Sequence, residues 1–529
     1  MLTLMPTFES STNHPETDPV VELAMLFKEN DVDFSLLFSQ QMPDLRRLLY
    51  HVGLENFPWV NVYDDIQQVQ VKNGVPFSIN DLVLPDSVTP FFLGSDVFYF
   101  RGSERVMQVH FHPGGFVYWV NQKLPEGRTM LDQYDDRGFV TTRTVTEQDG
   151  TQEKYWLNDY GNVVLTQTKE GISVSEDQQN RFTASHYSSM RDIVYEFLMR
   201  KSMRIEQSLQ VITNLQPSTL ELRNGQPLLR KIVFLVNQRL NLQPKDHMML
   251  GPKDVFIFPT SADEQLFSRS SSANDPQGNL SKIETYVIPQ YATKLDLGIS
   301  NETSQDLVYW RLGNIHHDEC RRLFLQMIKM LRNADDQALI IEGSRQQVEL
   351  LKKHLEQYAL TTFDIDLKSK EYQVVAKYLV DQRSGKPLAG LNNQGKKLRA
   401  LPNWQALSGA ESIVGRIHFQ EEKRDLQEEM MHQARVYVDT ATIPDLRMMI
   451  LAISSGVPLI VRQESTLVRN QQNGIIIDEL TEVPQACRYF LNTLRHWNNA
   501  LVVNSELIEK FSANHLIQQW REIMLLGKA

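Results

Sequence analysis

Two acidic residues, Asp439 and Asp445, stand where a predicted strand ends and a predicted helix begins in the segment "VYVDTATIPDLRMMILAISSGVPLIV" (436–461). The carboxyl end of a parallel strand followed by a helix N-terminus often binds phosphate, because backbone N–H groups and the helix dipole favour an anion there. Asp445 places a carboxylate in the first helical turn, where it competes with such an anion. We interpret Asp445 as a helix-capping acid in preference to a ligand-binding residue.

The elements that position these acids follow from the local pattern. Residues 435–438 form the incoming strand, and Pro444 suits the first turn of a helix, where its missing N–H costs nothing. Apolar residues recur at the spacing of a core-facing stripe, at Leu446, Met449, Ile450 and Ile453. Gly456 and Pro458 end the helix before the strand "LIV". The sequence therefore predicts a right-handed βαβ unit with its helix N-terminus at the carboxyl edge of a parallel sheet.

A second group of candidate residues follows the strand-like "LVYW", in the segment "YWRLGNIHHD" (309–318). Arg311 is a permanent cation, and His316 lies five residues further on. A histidine with an ordinary pKa is mostly neutral at pH 7. Arg311 could therefore face a phosphate with a fixed positive charge, whereas His316 would be mostly neutral. The first strand, "LTLMPTF", is not followed by a glycine-rich turn, so the backbone has no close approach to a phosphate there.

The segment 436–461, together with "NGIIIDEL" (473–480), resembles the C-terminal half of GT-B glycosyltransferases. In the retaining members, two glutamates separated by seven residues hold the donor sugar and the ribose. Counting back from "SSGVP" puts those positions on Ile443 and Leu451, whose aliphatic side chains cannot accept hydrogen bonds. An unpartnered buried hydroxyl costs about 1–3 kcal/mol. The resemblance implies a degenerate donor cleft made of Arg311, His316, Asp439, Ile443, Leu451, Asn473 and Gly474.

Bulk properties exclude several classes of protein. The chain has 529 residues, which suggests about three domains. Its net charge of -11 disfavours nucleic acid and anionic membranes as partners. Two cysteines, Cys320 and Cys487, give no disulfide framework and fit a reducing compartment. The N-terminus does not resemble a signal peptide and no stretch is long and apolar enough to span a membrane, so we expect a cytoplasmic protein, with any docking at a membrane made through a partner.

The order of elements predicts an α/β protein with a GT-B-like fold. We expect a first Rossmann-type domain in 1–60 that continues in 186–304, and a second in 305–529 whose C-terminal helix crosses back to the first. Between them, residues 61–185 carry short β-branched and aromatic runs separated by turns such as Asp149-Gly150, the pattern of an inserted antiparallel β-meander. Residues 268–279 and 380–409 are predicted to be loops.

Three other groups in the inserted region could do chemistry. His110 and His112 share a strand face, but two ligands do not fill a tetrahedral zinc site, so we expect a half-exposed strand face there. Asp135 and Asp136 are adjacent, whereas paired catalytic carboxylates of glycosidases lie across a cleft, so a turn or an ion pair with Arg137 is the preferred interpretation. Five aromatic residues could form a platform for a glycan or peptide: Phe98, Tyr99, Phe116, Tyr118 and Trp119. We expect at least half of them to lie in the core of the meander instead.

The whole chain is similar to the accessory secretory protein 1 family of the accessory Sec system. The residues that carry this resemblance are "LDQYDDRGFVTTR" (131–143), "VIPQYATKLDLGIS" (287–300), the segment from 436 to 477 and "LRHWNNALVVNSELIEKFSANHLIQQWREI" (494–523). The resemblance implies a GT-B-like protein without transferase activity, cofactor or metal. It also implies partners: the second and third accessory secretory proteins, the accessory SecA-type ATPase and an exported serine-rich repeat glycoprotein.

Three hypotheses for function remain after these observations. The first is a non-catalytic subunit that binds the glycosylated adhesin and its partner proteins during export. The second is an active glycosyltransferase, or the acceptor-binding subunit of a GlcNAc transferase that modifies serine-rich adhesins. The third is a scaffold with no ligand in its cleft. Donor-dependent thermal stabilisation would favour the second, and binding of a GlcNAc-decorated serine-rich peptide would separate the first from the third.

Overall fold

A computed structural model describes residues 2–7, 18–204, 211–223, 232–236, 254–274, 284–383 and 395–526. The chain divides into two compact units. The first unit contains residues 1–258, 268–286 and 523–529, and the second contains residues 259–267 and 287–522. Within the described residues, no helix has both the length and the hydropathy that a membrane span requires.

The first unit contains a seven-stranded sheet in the order β17-β16-β15-β14-β1-β2-β3. Its strands are β1 (Leu2–Met5), β2 (Phe34–Phe38), β3 (Trp59–Asn61), β14 (Val211–Asn214), β15 (Ile232–Leu235), β16 (Val255–Phe258) and β17 (Glu284–Val287). The helices of this unit are α1 (Pro19–Glu29), α2 (Leu45–His51), α3 (Val62–Gln67), α4 (Met190–Arg204) and α5 (Pro217–Arg223). Helix α6 (Ser261–Asn274) is divided between the two units, and its residues from 268 onward belong to the first. Strands β1 and β14–β16 are entirely buried, as expected of central parallel strands covered on both faces.

A ten-stranded antiparallel sheet is inserted between β3 and α4, and its strands follow one another in chain order from β4 to β13. They are β4 (Thr89–Leu93), β5 (Asp96–Arg101), β6 (Glu104–Phe111), β7 (Val117–Lys123), β8 (Thr129–Tyr134), β9 (Val140–Thr146), β10 (Gln152–Leu157), β11 (Val163–Thr168), β12 (Gly171–Val174) and β13 (His186–Tyr187). Gly150 and Gly161 have φ near +84°, which glycine adopts most readily, and they close two of the hairpin turns. The prediction of an antiparallel meander is confirmed.

The second unit contains a six-stranded parallel sheet in the order β20-β19-β18-β21-β22-β23. Its strands are β18 (Asp306–Arg311), β19 (Gln337–Gly343), β20 (Ile417–Glu421), β21 (Ala434–Asp439), β22 (Leu459–Val461) and β23 (Gly474–Ile476). This is the doubly wound order of a Rossmann-type domain. Strands β19 and β20 are added on one side of β18, and strands β21, β22 and β23 are added on its other side.

Nine helices of eight or more residues are described after β18. They are α7 (His317–Arg332), α8 (Arg345–Phe363), α9 (Lys370–Arg383), α10 (Trp404–Val414), α11 (Arg424–Gln433), α12 (Leu446–Ser454), α13 (Val483–Leu491), α14 (Leu494–Lys510) and α15 (Ala513–Leu526). Two of the predicted loops are therefore wrong in part. Residues 268–274 continue helix α6. Residues 380–383 end helix α9, residues 395–399 are helical, and residues 404–409 open helix α10. Residues 275–279 and 384–394 lie outside the described residues.

Candidate functional site

Arg311 and Asp439 end two neighbouring strands at the point where the sheet order of the second unit reverses. Arg311 is the last residue of β18, Asp439 is the last residue of β21, and the two are paired in the strand register. In doubly wound sheets, ligands bind in the crevice outside the carboxyl ends of the strands at this switch point. The candidate site of the second unit is therefore built around these two residues.

The guanidinium of Arg311 lies among three carboxylates of its own chain. Its Nη1 is 3.5 Å from Asp439 Oδ2, and its Nη2 is 3.4 Å from Asp445 Oδ2 and 3.3 Å from Glu422 Oε1. The Arg311 side chain is 10% exposed. Burial disfavours the charged guanidinium, but the neighbouring acidic groups outweigh burial and raise the pKa of Arg311 above its ordinary value. The cation that could face a diphosphate is thus already compensated within the protein.

Asp439 is fully buried and organises the loop that leads from β21 to α12. Its carboxylate accepts hydrogen bonds from the backbone N–H groups of Ala441 and Asp445, each at 2.9 Å, and from the Tyr437 hydroxyl at 3.0 Å. Burial raises the pKa of Asp439, whereas Arg311 and the two backbone donors lower it. Asp439 therefore stabilises the conformation of this loop, and both of its carboxylate oxygens already accept hydrogen bonds from the protein.

Asp445 is the N-cap residue of α12, as predicted from the sequence. Its Oδ1 accepts a hydrogen bond from the backbone N–H of Met448 at 3.1 Å, while its Oδ2 faces Arg311. One carboxylate thus satisfies a backbone donor of the helix N-terminus and neutralises the arginine at the same time. These are the two interactions that a nucleotide phosphate would make at this helix N-terminus.

Ile443 and Leu451, the two positions that the resemblance assigns to donor-site glutamates, lie in the elements that the sequence predicts for them. Ile443 lies in the loop before α12, and Leu451 lies within α12; both are half-buried. Neither side chain contains an oxygen or nitrogen atom, so neither can bind a sugar or ribose hydroxyl.

The loops that follow β18 and β21 contact each other, which the sequence analysis did not anticipate. Gly313 has φ +58°, and a Cβ atom placed on it would lie 2.5 Å from the Cβ of Ala441. The backbone N–H of Thr442 donates to Asn314 Oδ1 at 2.9 Å, and the Gln347 amide donates to the Gly313 carbonyl at 2.8 Å. The two loops that border the switch point are therefore in direct contact. The glycine in "RLGN" is the one sequence signal of this approach.

His316 lies beside this loop pair and is exposed at the N-cap of α7. Its side chain makes no capping hydrogen bond to the helix. The structure brings Arg311, Asp439 and Asp445 into contact but does not bring the His316 ring into that cluster.

A second buried polar network, which sequence reasoning missed, lies next to the cluster. The Tyr309 hydroxyl and the Gln427 amide each donate to the carboxylate of Glu342 at 2.9 Å, and Arg447 donates to the Gln427 side-chain oxygen at 2.6 Å. Glu342 is fully buried, and its burial raises the pKa of the carboxyl group. The hydrogen bonds from Gln427 and Tyr309 lower that pKa, but by less than burial raises it. The network ties α11 to the carboxyl end of β19 and to α12.

Asn473 and Gly474 lie elsewhere in the second unit. The Asn473 side chain donates to the Leu467 carbonyl at 2.9 Å and to Asn504 Oδ1 at 3.0 Å, and it accepts from the Arg469 backbone N–H. A Cβ atom at Gly474 would lie 2.6 Å from the Leu459 carbonyl oxygen. The contacts of these two residues hold a loop against α14 and β22.

In the first unit, Arg137 confirms the predicted ion pair within "YDDRGF". Its guanidinium donates to Asp135 at 2.6 and 2.9 Å and to both oxygens of Asp64 at 2.8 Å. Asp136 accepts from the Arg47 backbone N–H at 2.8 Å, and burial together with Asp135 raises its pKa to about 7. This acidic motif joins the meander to α2 and α3.

The remaining candidates of the meander also have protein partners. His110 stacks on Trp119 and contacts Asp96 at 3.1 Å, while His112 contacts Asp44 at 3.2 Å. Of the five aromatic residues considered as a platform, Tyr99 and Phe116 are buried and the others are half-buried.

A family model for accessory Sec system protein 1 matches residues 4–526. The accessory Sec system protein 1 of Staphylococcus aureus is 21% identical over 97% of this chain and 94% of its own length. The Streptococcus gordonii protein of the same name is 21% identical over 96% of this chain and 93% of its own length.

Solved structures confirm the GT-B-like fold. A crystal structure of accessory secretory proteins 1, 2 and 3 of Streptococcus pneumoniae contains a chain that is 18% identical, with a TM-score of 0.72 over 100% of this chain and 99% of that chain. A Glycosylation Associate Protein complex of Streptococcus agalactiae gives the same score and identity over 98% of this chain and 99% of that chain. The pneumococcal O-GlcNAc transferase GtfA, in complex with UDP and GlcNAc, is 13% identical with a TM-score of 0.58, over 99% and 98% of the two chains.

Proposed function

Because the chain belongs to the accessory Sec system protein 1 family, we propose that it is a non-catalytic component of the accessory Sec export system. In this role it binds a glycosylated serine-rich repeat adhesin and partner accessory Sec proteins during export of the adhesin. The partners are the second and third accessory secretory proteins and the accessory SecA-type ATPase. The two similar solved complexes, one of which contains accessory secretory proteins 1, 2 and 3, support the first two of these partners.

The observation that carries the non-catalytic part is the occupied environment of Arg311. A nucleotide diphosphate would have to replace Asp445 and Glu422 as the counterions of this guanidinium. It would also have to be accommodated against the Asp439 carboxylate, which is fully buried and repels it. The nearby apolar side chains of Ile443 and Leu451 offer no compensating hydrogen bond to the sugar.

Titration with UDP-GlcNAc tests this proposal directly. A ligand at about 100 times its Kd stabilises the folded state by about 2.7 kcal/mol, which shifts the melting temperature measurably. We expect no shift of the melting temperature and no release of UDP up to millimolar UDP-GlcNAc. The O-GlcNAc transferase GtfA, whose crystal structure contains UDP and GlcNAc, is the positive control. Transfer of GlcNAc to a serine-rich acceptor by the unmodified chain would instead establish the alternative, a glycosyltransferase.

The binding part of the proposal needs its own measurement. The unmodified chain, mixed with a GlcNAc-decorated serine-rich peptide and in parallel with the unglycosylated peptide, should bind the former more tightly when followed by calorimetry. The same titrations are repeated in the presence of the second and third accessory secretory proteins. If both peptides then bind equally, or neither binds, adhesin recognition by this component is contradicted.

A further inference from the structure

Three Asn-Gly pairs occur in the chain, and the fold gives two of them opposite environments. The pairs are Asn73-Gly74, Asn224-Gly225 and Asn473-Gly474. The second lies outside the described residues. An asparagine followed by glycine loses its side-chain amide readily, because glycine has no Cβ to hinder attack by its backbone nitrogen on the preceding amide carbon. The surroundings of each pair decide whether that attack occurs in the folded chain.

Asn73 lies at the surface in a short bend. The residue is exposed, and within the described residues neither its side-chain amide nor the N–H of Gly74 has a hydrogen-bond partner. The amide is therefore free to rotate towards the Gly74 nitrogen, and the Gly74 N–H is free to lose its proton to a base. Both reacting groups of a ring closure are thus available without local unfolding.

The segments on both sides of this bend are anchored to the protein. Before it, Val71 donates its backbone N–H to Asp159 at 2.9 Å, and its carbonyl accepts from Arg137 at 3.2 Å. After it, the Gly74 carbonyl accepts from Arg46 at 3.0 Å. A Cβ atom placed on Gly74 would lie 2.0 Å from the carbonyl oxygen of Arg137. The bend therefore connects two fixed points beside the "YDDRGF" turn.

Asn473 is also followed by glycine but is protected by its surroundings. Its side chain is fully buried. It donates to the Leu467 carbonyl and to Asn504 Oδ1, and it accepts from the Arg469 backbone N–H. Gly474 belongs to β23 and is paired in register with β22. Ring closure at this pair requires these contacts to break first, so it needs local opening of the second unit.

We propose that Asn73 is a site of spontaneous deamidation and that its product loosens the joint between this bend and the "YDDRGF" turn. The Gly74 nitrogen loses its proton to hydroxide and forms a bond to Cγ of Asn73. The Cγ–Nδ2 bond breaks, and ammonia leaves after taking a proton from water. Water then opens the cyclic imide at one of its two carbonyl groups. Opening at Cγ gives aspartate, and opening at the backbone carbonyl gives isoaspartate.

Isoaspartate adds one carbon atom to the main chain immediately before Gly74. Gly74 is held by Arg46 and packs closely on Arg137, and a Cβ atom on Gly138 would lie 2.2 Å from the carbonyl oxygen of Val75. The added atom therefore displaces residues 74 and 75 from the turn. This inference goes beyond the proposed function and does not depend on it.

Peptide mass spectrometry of the unmodified full-length chain tests the modification. The chain is incubated at 37 °C and pH 8, and digestion in water enriched in oxygen-18 marks any amide loss that occurs during digestion. We expect loss at Asn73 to be at least tenfold faster than loss at Asn473, and slower at pH 6 because the attacking nitrogen must be deprotonated. In the chain unfolded by urea the two rates should be similar. Equal rates in the folded chain, or an intact Asn73, would overturn the inference.

The variant Asn73→Gln tests the structural consequence. Glutamine would have to close a six-membered ring, which is much slower, so this variant keeps its amide and serves as the matched control. Hydrogen exchange is measured at the Gly138 amide, which donates to the Asp135 carbonyl at 2.9 Å, in fresh and aged samples of both chains. We expect ageing to accelerate this exchange at least threefold in the unmodified chain and to leave it unchanged in Asn73→Gln. Acceleration in both chains, or in neither, would show that modification of Asn73 does not loosen the joint.

Discussion

Arg311 is the residue on which the electrostatics of the candidate site depend. Replacing it in the variant Arg311→Leu leaves the carboxylates of Asp439 and Asp445 without their cation, and removal of one partner from a buried ion pair costs about 3 kcal/mol or more. We expect that loss in the free energy of unfolding by urea at pH 8. Arg322→Leu, at an exposed position of α7, should change it by less than about 0.5 kcal/mol.

The loss caused by Arg311→Leu should also depend on pH. Burial already raises the pKa of Asp439, and without Arg311 that pKa rises further. An acid with a raised pKa in the folded state contributes stability that is present below its unfolded pKa and is lost as the pH rises through its folded pKa. The difference between variant and unmodified chain should therefore shrink from pH 8 to pH 5. A constant difference would show that packing, not charge, holds the cluster.

A second test at the residue scale places glutamates at the two positions that the resemblance assigns to donor-site acids. The double variant Ile443→Glu and Leu451→Glu should not transfer GlcNAc, because Asp445 and Glu422 still compensate the charge of Arg311. Release of UDP from UDP-GlcNAc, followed in the presence of a serine-rich acceptor, is the measurement. Turnover by the double variant would show that Ile443 and Leu451 alone prevent transfer in the unmodified chain.

Single residues also show how far the sequence predicts the site. Asp445 could be predicted as an N-cap because capping depends on the neighbours in "TIPDL" and on the apolar stripe behind it. The partners of Arg311 could not, because Glu422 and Asp439 come close only after the sheet has formed. The Glu342–Gln427 hydrogen bond was missed for the same reason: it joins the end of a strand to a distant helix.

At the scale of elements, the contact between the loops after β18 and β21 makes a sharp prediction. Gly313→Ala introduces a Cβ at φ +58° and within 2.5 Å of the Ala441 Cβ, so both backbone strain and overlap destabilise the chain. We expect a loss of about 2 kcal/mol in urea unfolding. Adding Ala441→Gly should recover part of it, since the contact between the two Cβ atoms disappears while the backbone strain and the 3.0 Å approach to the Cα of residue 441 remain. Additive losses in this double-mutant cycle would contradict the contact.

Asp136 joins elements of the first unit and should set part of its pH dependence. Its pKa is raised to about 7 by burial and by Asp135, so its stabilising contribution is complete near pH 4 and is lost as the pH rises through about 7. Asp136→Asn cannot ionise. We expect the free energy of unfolding of the variant to be about 1–3 kcal/mol higher than that of the unmodified chain at pH 8. At pH 4.5 the two free energies, measured by urea unfolding, should be close to each other. A gap independent of pH would show that the pKa of Asp136 is the same in the folded and the unfolded chain.

Which elements the sequence predicts depends on where their stability comes from. The buried parallel strands and the hairpins closed by Gly150 and Gly161 are encoded locally, by apolar runs and turn residues, and were predicted. Helices α6 and α10 were interpreted in part as loops, because polar and glycine-containing segments carry little local helix signal. In α10 the buried residues Leu407, Ala410 and Ile413 supply the stabilising contacts. Such tertiary contacts override weak local propensity.

At the scale of the whole molecule, the two units have separate sheets and separate cores. One core cluster surrounds β18–β23, and others surround β10–β12 and β5–β8 in the first unit. A substitution that destabilises one unit should therefore leave local opening in the other unchanged. Arg311→Leu should accelerate amide hydrogen exchange in the strands between residues 306 and 476 and leave the rates in β1, β14 and β5–β11 as they were. Equal acceleration in both units would mean that the chain unfolds as one cooperative body, and the stability differences given above would then report on the whole protein and not on a single unit.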